Sequence, residues 1–134
     1  MTRDQPAVSS QITFLYYHSL EAPQRFYGET LGLELVEDQN WAKIYRVAGS
    51  AFVGIVTGDD AFKQPQVENA VLLTLVVDDL DAWYARLKDA DVHFLTDIRE
   101  MEGIQVRAFF VQDPGGYAVE VQQFLNPDVA ELFE

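Results

Sequence analysis

Apolar and polar positions change period twice along the chain, from strand-like alternation to helical spacing and back, and the two cycles resemble each other. "QITFLYYH" (11–18) has the β-branched and aromatic content of a buried strand, and "SLEAPQRFYGETLG" (19–32) then takes up helical spacing. Ser19 or its neighbour is placed to cap this helix, and Pro23 is tolerable only in its first turn. Phe26, Tyr27 and Leu31 make its buried stripe, and Gly32 supplies a left-handed stop. Three strand-like pieces follow, "LELVED", "WAKIYRV" and "AFVGIVT". The second cycle opens with the strand "VLLTLVVDD" (71–79) and the helix "LDAWYARLKDA", with Leu80, Trp83, Tyr84 and Leu87 on one face. Asp79 is its expected N-cap, and Arg86 and Lys88 sit in its last turn, where positive charge suits the helix dipole. Three more strands are expected in "VHFLTDI", "QVRAFFVQ" and "YAVEVQQF", the last two joined by the turn "DPGG".

An offset of 60 residues lays Ile12 on Leu72, Ser19 on Asp79, Leu20 on Leu80 and Glu21 on Asp81. The two cycles are therefore read as an internal βαβββ duplication. The expected organisation is one domain over 1–134, with a first module at about 11–57, a connector at 58–69, a second module at about 70–124 and a C-terminal tail at 125–134. The connector belongs to the charged stretch "TGDDAFKQPQVEN" (57–69), whose proline and polar content suit a surface loop.

Composition narrows the function classes. The 134 residues, 49% hydrophobic, suffice for one compact core. Nine Lys and Arg against 22 Asp and Glu give a formal charge of −13, which repels nucleic acid and anionic lipid and attracts cationic small molecules. With no cysteine, disulfides, thiolate nucleophiles and zinc–thiolate sites are excluded. The opening "MTRDQPAVSS" has no apolar signal core and no apolar run approaches a bilayer span, so a cytoplasmic location without a membrane partner is the expectation.

Three stretches, "ITFLYYHSLEAPQRFYGETLGLEL", "LLTLVVDDLDAWYARLKDADV" and "DPGGYAVEV", resemble the paired modules of the vicinal oxygen chelate superfamily, the glyoxalase, bleomycin-resistance and extradiol-dioxygenase group. The resemblance covers roughly residues 11–124 and rests on the signatures "FY…LGL" and "DPGG…E". It implies an α+β fold in which two βαβββ modules form one cup-shaped, eight-stranded mixed sheet with helices outside and a ligand cavity inside, commonly in a homodimer. Metal-dependent members of this group take His or Glu ligands from four cup-facing strand positions. Carried over by motif spacing, these are Ile12, Gly54, Leu72 and Glu120. Only Glu120 is a donor, whereas a divalent site needs about three N or O ligands at roughly 2.0–2.2 Å. His18 shares a strand face with Ile12 but lies about 20 Å along an extended strand, so it cannot reach the same ion. No metal and no other cofactor is therefore expected.

The remaining candidates each have two readings. Glu120 is a carboxylate hydrogen-bonded within the cup, a ligand contact, or, in an enzyme, a general base. Alternation turns Ile12, Phe14, Tyr16 and His18 toward the cavity, with Leu15 and Tyr17 under the helix. Phe14 and Tyr16 are core filling or a binding wall, and His18 is a rim residue or a catalyst. Phe52 offers further flat apolar surface, and Gln122 a second acceptor beside Glu120. Trp41, Lys43 and Tyr45 alternate, either as an exposed amphipathic face or as the polar lip of a pocket. Gly115 and Gly116 are explained by the hairpin turn, since no phosphate-loop lysine follows. The ligand-binding set is thus Phe14, Tyr16, His18, Phe52, Glu120 and Gln122. Stacking surface plus acid suits a metal-independent binder that sequesters an aromatic or cationic compound. The alternatives are a glyoxalase-like lyase or dioxygenase-related enzyme with displaced ligands, a metal-free isomerase using Glu120 with Tyr16 or His18, and an interaction module whose cup is plugged by its own aromatics.

Overall fold

A computed structural model describes residues 5–134. Met1 to Asp4, the start of the stretch read as lacking a signal core, lie outside the described residues. The fold is α+β. The strands form two sheets, of four and five strands, where a single eight-stranded sheet was expected. The chain divides between Pro65 and Gln66, inside the expected connector, into two compact units.

The first unit runs β1 (Gln11–Tyr16), α1 (Glu21–Arg25), β2 (Glu34–Asp38), β3 (Ala42–Ala48) and β4 (Ala51–Val56), with sheet order β1-β4-β3-β2. The parallel pairing of β1 with β4 sets Ile12 beside Phe52, Phe14 beside Gly54 and Tyr16 beside Val56. Leu15, Tyr17, Tyr45, Val53 and Ile55 point the other way and are buried, as are Phe26, Tyr27 and Leu31 of the helical segment. Tyr27 and Tyr45 bring their rings to 6.4 Å. Each such side chain removed from water contributes about 1.5–3 kcal/mol, so this helix-side layer is the unit's core.

Gly32 adopts φ 74°, as expected, but the N-cap position is Leu20, with no side-chain cap hydrogen bond; Ser19, one residue earlier, only accepts from the Glu21 amide at 3.3 Å. Its interior is not regular. After Arg25 the chain widens into a π-helical turn, Phe26–Thr30, closed by the Leu31 amide on the Phe26 carbonyl at 2.8 Å. Phe26, Tyr27 and Leu31 are all buried.

The second unit runs β5 (Leu72–Val76), α2 (Leu80–Asp89), β6 (His93–Phe94), β7 (Arg99–Met101), β8 (Val106–Gln112), β9 (Ala118–Phe124) and α3 (Pro127–Ala130). Its order, β5-β9-β8-β6, repeats that of the first unit, with β7 added on β8. Asp79 caps α2, accepting from the Ala82 amide at 3.1 Å, and Leu80 and Leu87 are fully buried. Tyr84 meets Phe109 and Phe94 edge-on at 5.3 and 5.4 Å.

"VHFLTDI" forms only a two-residue strand. The Leu95 and Thr96 amides both donate to the Phe110 carbonyl, and Thr96 Oγ1 accepts from the Phe110 amide, which breaks the ladder. Pairing with β8 resumes at Arg99, opposite Ala108. In "DPGG", buried Asp113 accepts from the Gly115 and Tyr117 amides at 2.8 and 2.9 Å, and Gly116 takes φ 88°. The tail is ordered too. Asn126 caps α3, and Phe133 stacks on Phe124 at 4.9 Å.

Candidate functional site

The face of the first sheet opposite the helix carries a cleft of about 590 Å³. Its floor follows from register. Phe14 and Tyr16 come from β1, Ile44 and Ala42 from β3 and Val56 from β4, all on one face because in-register neighbours point the same way. The Phe14 ring lies directly on Gly54, where a side chain at 54 would otherwise project.

The walls come from two loops. Between β2 and β3, Asn40 turns the chain with φ 68°, and Gln39 and Trp41 on either side of it line the cleft. The Trp41 carbonyl accepts from the Thr57 amide at 3.0 Å, and its amide donates to the Gln39 carbonyl at 2.9 Å. Across the base of this hairpin Lys43 Nζ meets Asp38 at 2.8 Å. That hydrogen bond, with the Asn40 amide, holds the Asp38 carboxyl below its usual range. Trp41 is thereby fixed in backbone while the residue stays 56% exposed. The second wall is Asp60, Ala61 and Phe62. Four aromatic side chains and one exposed carboxylate make a surface suited to a flat ligand with a cationic or donor group.

The expected site residues are divided by this arrangement. Phe14 and Tyr16 line the cleft. Phe52 shares their face two residues along β4, but its ring lies under the Arg46 guanidinium at 4.9 Å. His18 falls beyond the end of β1, where alternation no longer applies, and is exposed. Glu120 and Gln122 belong to the second unit. Glu120 is buried, and its two oxygens accept from Thr74 Oγ1 at 3.0 Å and from Gln122 Nε2 at 3.4 Å. The register of the piece 41–47 is settled as well. Lys43 and Tyr45 turn to the helix side, and it is Ala42 and Ile44 that face the cleft.

Gln39, Asp60 and Phe62 were not anticipated. The signal for Phe62 was present, since it is the one aromatic residue in the connector.

A metal of the kind the family resemblance implies does not fit this chain. Ile12, Gly54 and Leu72 carry no donor atom, and both oxygens of Glu120 are engaged by neighbours. Among the described residues no three His, Cys, Asp or Glu side chains gather as a metal ion requires.

The Glyoxalase/Bleomycin resistance protein/Dioxygenase superfamily model matches residues 10–121. Among solved structures, a lactoylglutathione lyase from Agrobacterium tumefaciens is similar with a TM-score of 0.69 at 18% identity, over 89% of this chain and 96% of that one. TioX from Micromonospora sp. ML1 gives 0.73 at 15% identity, over 88% of this chain and 100% of its own. A glyoxalase/bleomycin resistance protein/dioxygenase from Nocardioides gives 0.72 at 19% identity, over 94% and 88%. At these identities the likeness is one of fold. Among curated proteins none matches.

Proposed function

Because the chain belongs to the glyoxalase/bleomycin resistance protein/dioxygenase superfamily, we propose that it works as a metal-independent binder, taking up a planar aromatic compound with a cationic or donor group in the cleft of its first unit. The observation that carries this reading is the cleft itself, about 590 Å³ walled by Phe14, Tyr16, Trp41 and Phe62 with Asp60 at its edge. That volume is in the range of drug-sized ligand pockets, about 300–1,000 Å³. Sequestration without turnover is part of the same proposal, since the cleft lining holds no nucleophile–base pair.

A lyase or isomerase using Glu120 has less support. A general base must reach the substrate's proton, and Glu120 is buried, held by Thr74 and Gln122, and is not among the residues lining the cleft. The carboxylate is better explained as a satisfied structural group.

The test is a thermal-shift screen of cationic aromatics, neutral aromatics and anionic thiol adducts at two salt concentrations, repeated on Tyr16→Ala and Glu120→Gln. Cationic aromatics should stabilise the wild type most, Tyr16→Ala should weaken the effect and Glu120→Gln should leave the ranking intact. Strongest stabilisation by the anionic adducts would overturn the reading.

A further inference from the structure

Gly54 stands where metal-dependent relatives would place a ligand on β4, and the reason it carries no side chain lies across the sheet. A Cβ built on Gly54 would run into Cδ1 and Cε1 of Phe14 and reach Cγ at 3.3 Å. The conflict is with a rigid ring on the neighbouring strand, whose register with β4 is fixed by continuous parallel pairing from Gln11 to Tyr16. It is not relieved by a small shift of a flexible chain end. Glycine inside a strand weakens that strand, so its presence here marks a close approach that the sheet requires. Gly54 itself is buried while Phe14, lying on it, is 41% exposed and lines the cleft.

We infer that Gly54 and Phe14 form a single device that sets the depth of the cleft and hence the size of the ring system it accepts. The inference rests on the binding function proposed above and adds the residue pair that determines size. With glycine at 54 the Phe14 ring packs against the backbone of β4 and leaves the cleft its full depth. Any side chain at 54 lifts the ring into the cleft, and loss of the ring opens the cleft down to the backbone of β4. The position that would hold a metal ligand has become the seat of a stacking surface. Placing Glu at 54 would therefore displace Phe14 before it could contribute to any metal site.

Three cationic probes of increasing size, benzamidine, 4-aminoquinoline and 9-aminoacridine, test this by calorimetric titration of wild type, Gly54→Ala, Phe14→Ala and Phe14→Ala/Gly54→Ala. The ratio of affinities for 9-aminoacridine over benzamidine should fall about tenfold in Gly54→Ala and rise about tenfold in Phe14→Ala. The double variant should follow Phe14→Ala, because no ring remains to be lifted. In thermal melts without ligand, Gly54→Ala should lose about 5 °C, and the same change should cost almost nothing on the Phe14→Ala background. If Gly54→Ala does not fold, the Phe14→Ala and double variants still decide the direction. A wild type that binds none of the probes overturns the binding function and this inference with it. A wild type that binds, with a ratio unmoved by Phe14→Ala and by Gly54→Ala or the double variant, overturns the inference alone.

Discussion

Two carboxylates, Glu120 and Asp60, have opposite surroundings, and their expected behaviour differs accordingly. Glu120 is buried with partners on both oxygens, so Glu120→Ala leaves Thr74 and Gln122 without their acceptor and should cost about 1–3 kcal/mol, read by denaturant melts. Glu120→Gln keeps one acceptor and should cost less. Asp60 is exposed, and an exposed charge pair contributes about 0.2–1 kcal/mol. Asp60→Asn should therefore weaken a cationic aromatic only about two- to fivefold, with the loss shrinking as salt is raised. Trp41→Ala removes a ring face and should cost about tenfold at either salt. At this scale the sequence was legible where strand alternation holds, which is how Phe14 and Tyr16 were placed on the cleft face. It was illegible where the backbone leaves the strand. Asp60 and Phe62 reach the cleft through a loop, and no periodicity reports where a loop goes. The sequence also could not distinguish a carboxylate waiting for a ligand from one already held by Thr74, which lies 46 positions away.

Helix ends were the most legible elements, because a cap is a local event. Asp79 bonds a backbone amide three residues on, and Gly32 needs only its own φ. Asp79→Ala should destabilise the protein by about 1 kcal/mol through loss of the α2 cap, and Gly32→Ala by about 1–2 kcal/mol from the left-handed backbone, both measurable as shifts in midpoint at unchanged m-value. The π-helical turn after Arg25 left no mark in the sequence, because Phe26, Tyr27 and Leu31 fall on one face at α-helical spacing as well. The broken strand at 92–98 was hidden for a similar reason. Its residues have strand composition, and the interruption arises from Thr96 competing for the partner strand's amide. The β2–β3 hairpin offers a pH test. The folded state lowers the Asp38 pKa, so its pairing with Lys43 contributes above the carboxyl's unfolded pKa and is lost as pH falls through the lower folded value. In acid the hairpin backbone resonances around Trp41 should shift in NMR spectra, and Lys43→Met should move that transition toward ordinary carboxylate titration.

For the whole molecule, the repeat was legible because both units use the same strand order, β1-β4-β3-β2 and β5-β9-β8-β6. Strand β2 lies at the edge of its sheet with every residue exposed, Leu35 and Val36 among them. Bare edges of this kind invite pairing, and twofold association is the commonest resolution. A homodimer of about 30 kDa is therefore expected by light scattering, twice the chain mass of 15.2 kDa, and a monomer at micromolar concentration would contradict it. Protein purified without chelator should carry no stoichiometric transition metal by elemental analysis, given that three of the four family ligand positions have no donor.

Entry of a small molecule into the cleft of the first unit without a metal can be followed at the chain's two tryptophans, which report on it separately. Trp41 lines the cleft, while Trp83 lies on α2 of the second unit beside Arg86. The decisive measurement is a titration of chelator-treated, nitrogen-15-labelled protein with 9-aminoacridine, following the two indole N–H resonances. The Trp41 indole should show a saturable shift with Trp83 unmoved. A shift of Trp83 instead, or binding that appears only when a divalent metal is restored, would contradict metal-free entry into this cleft.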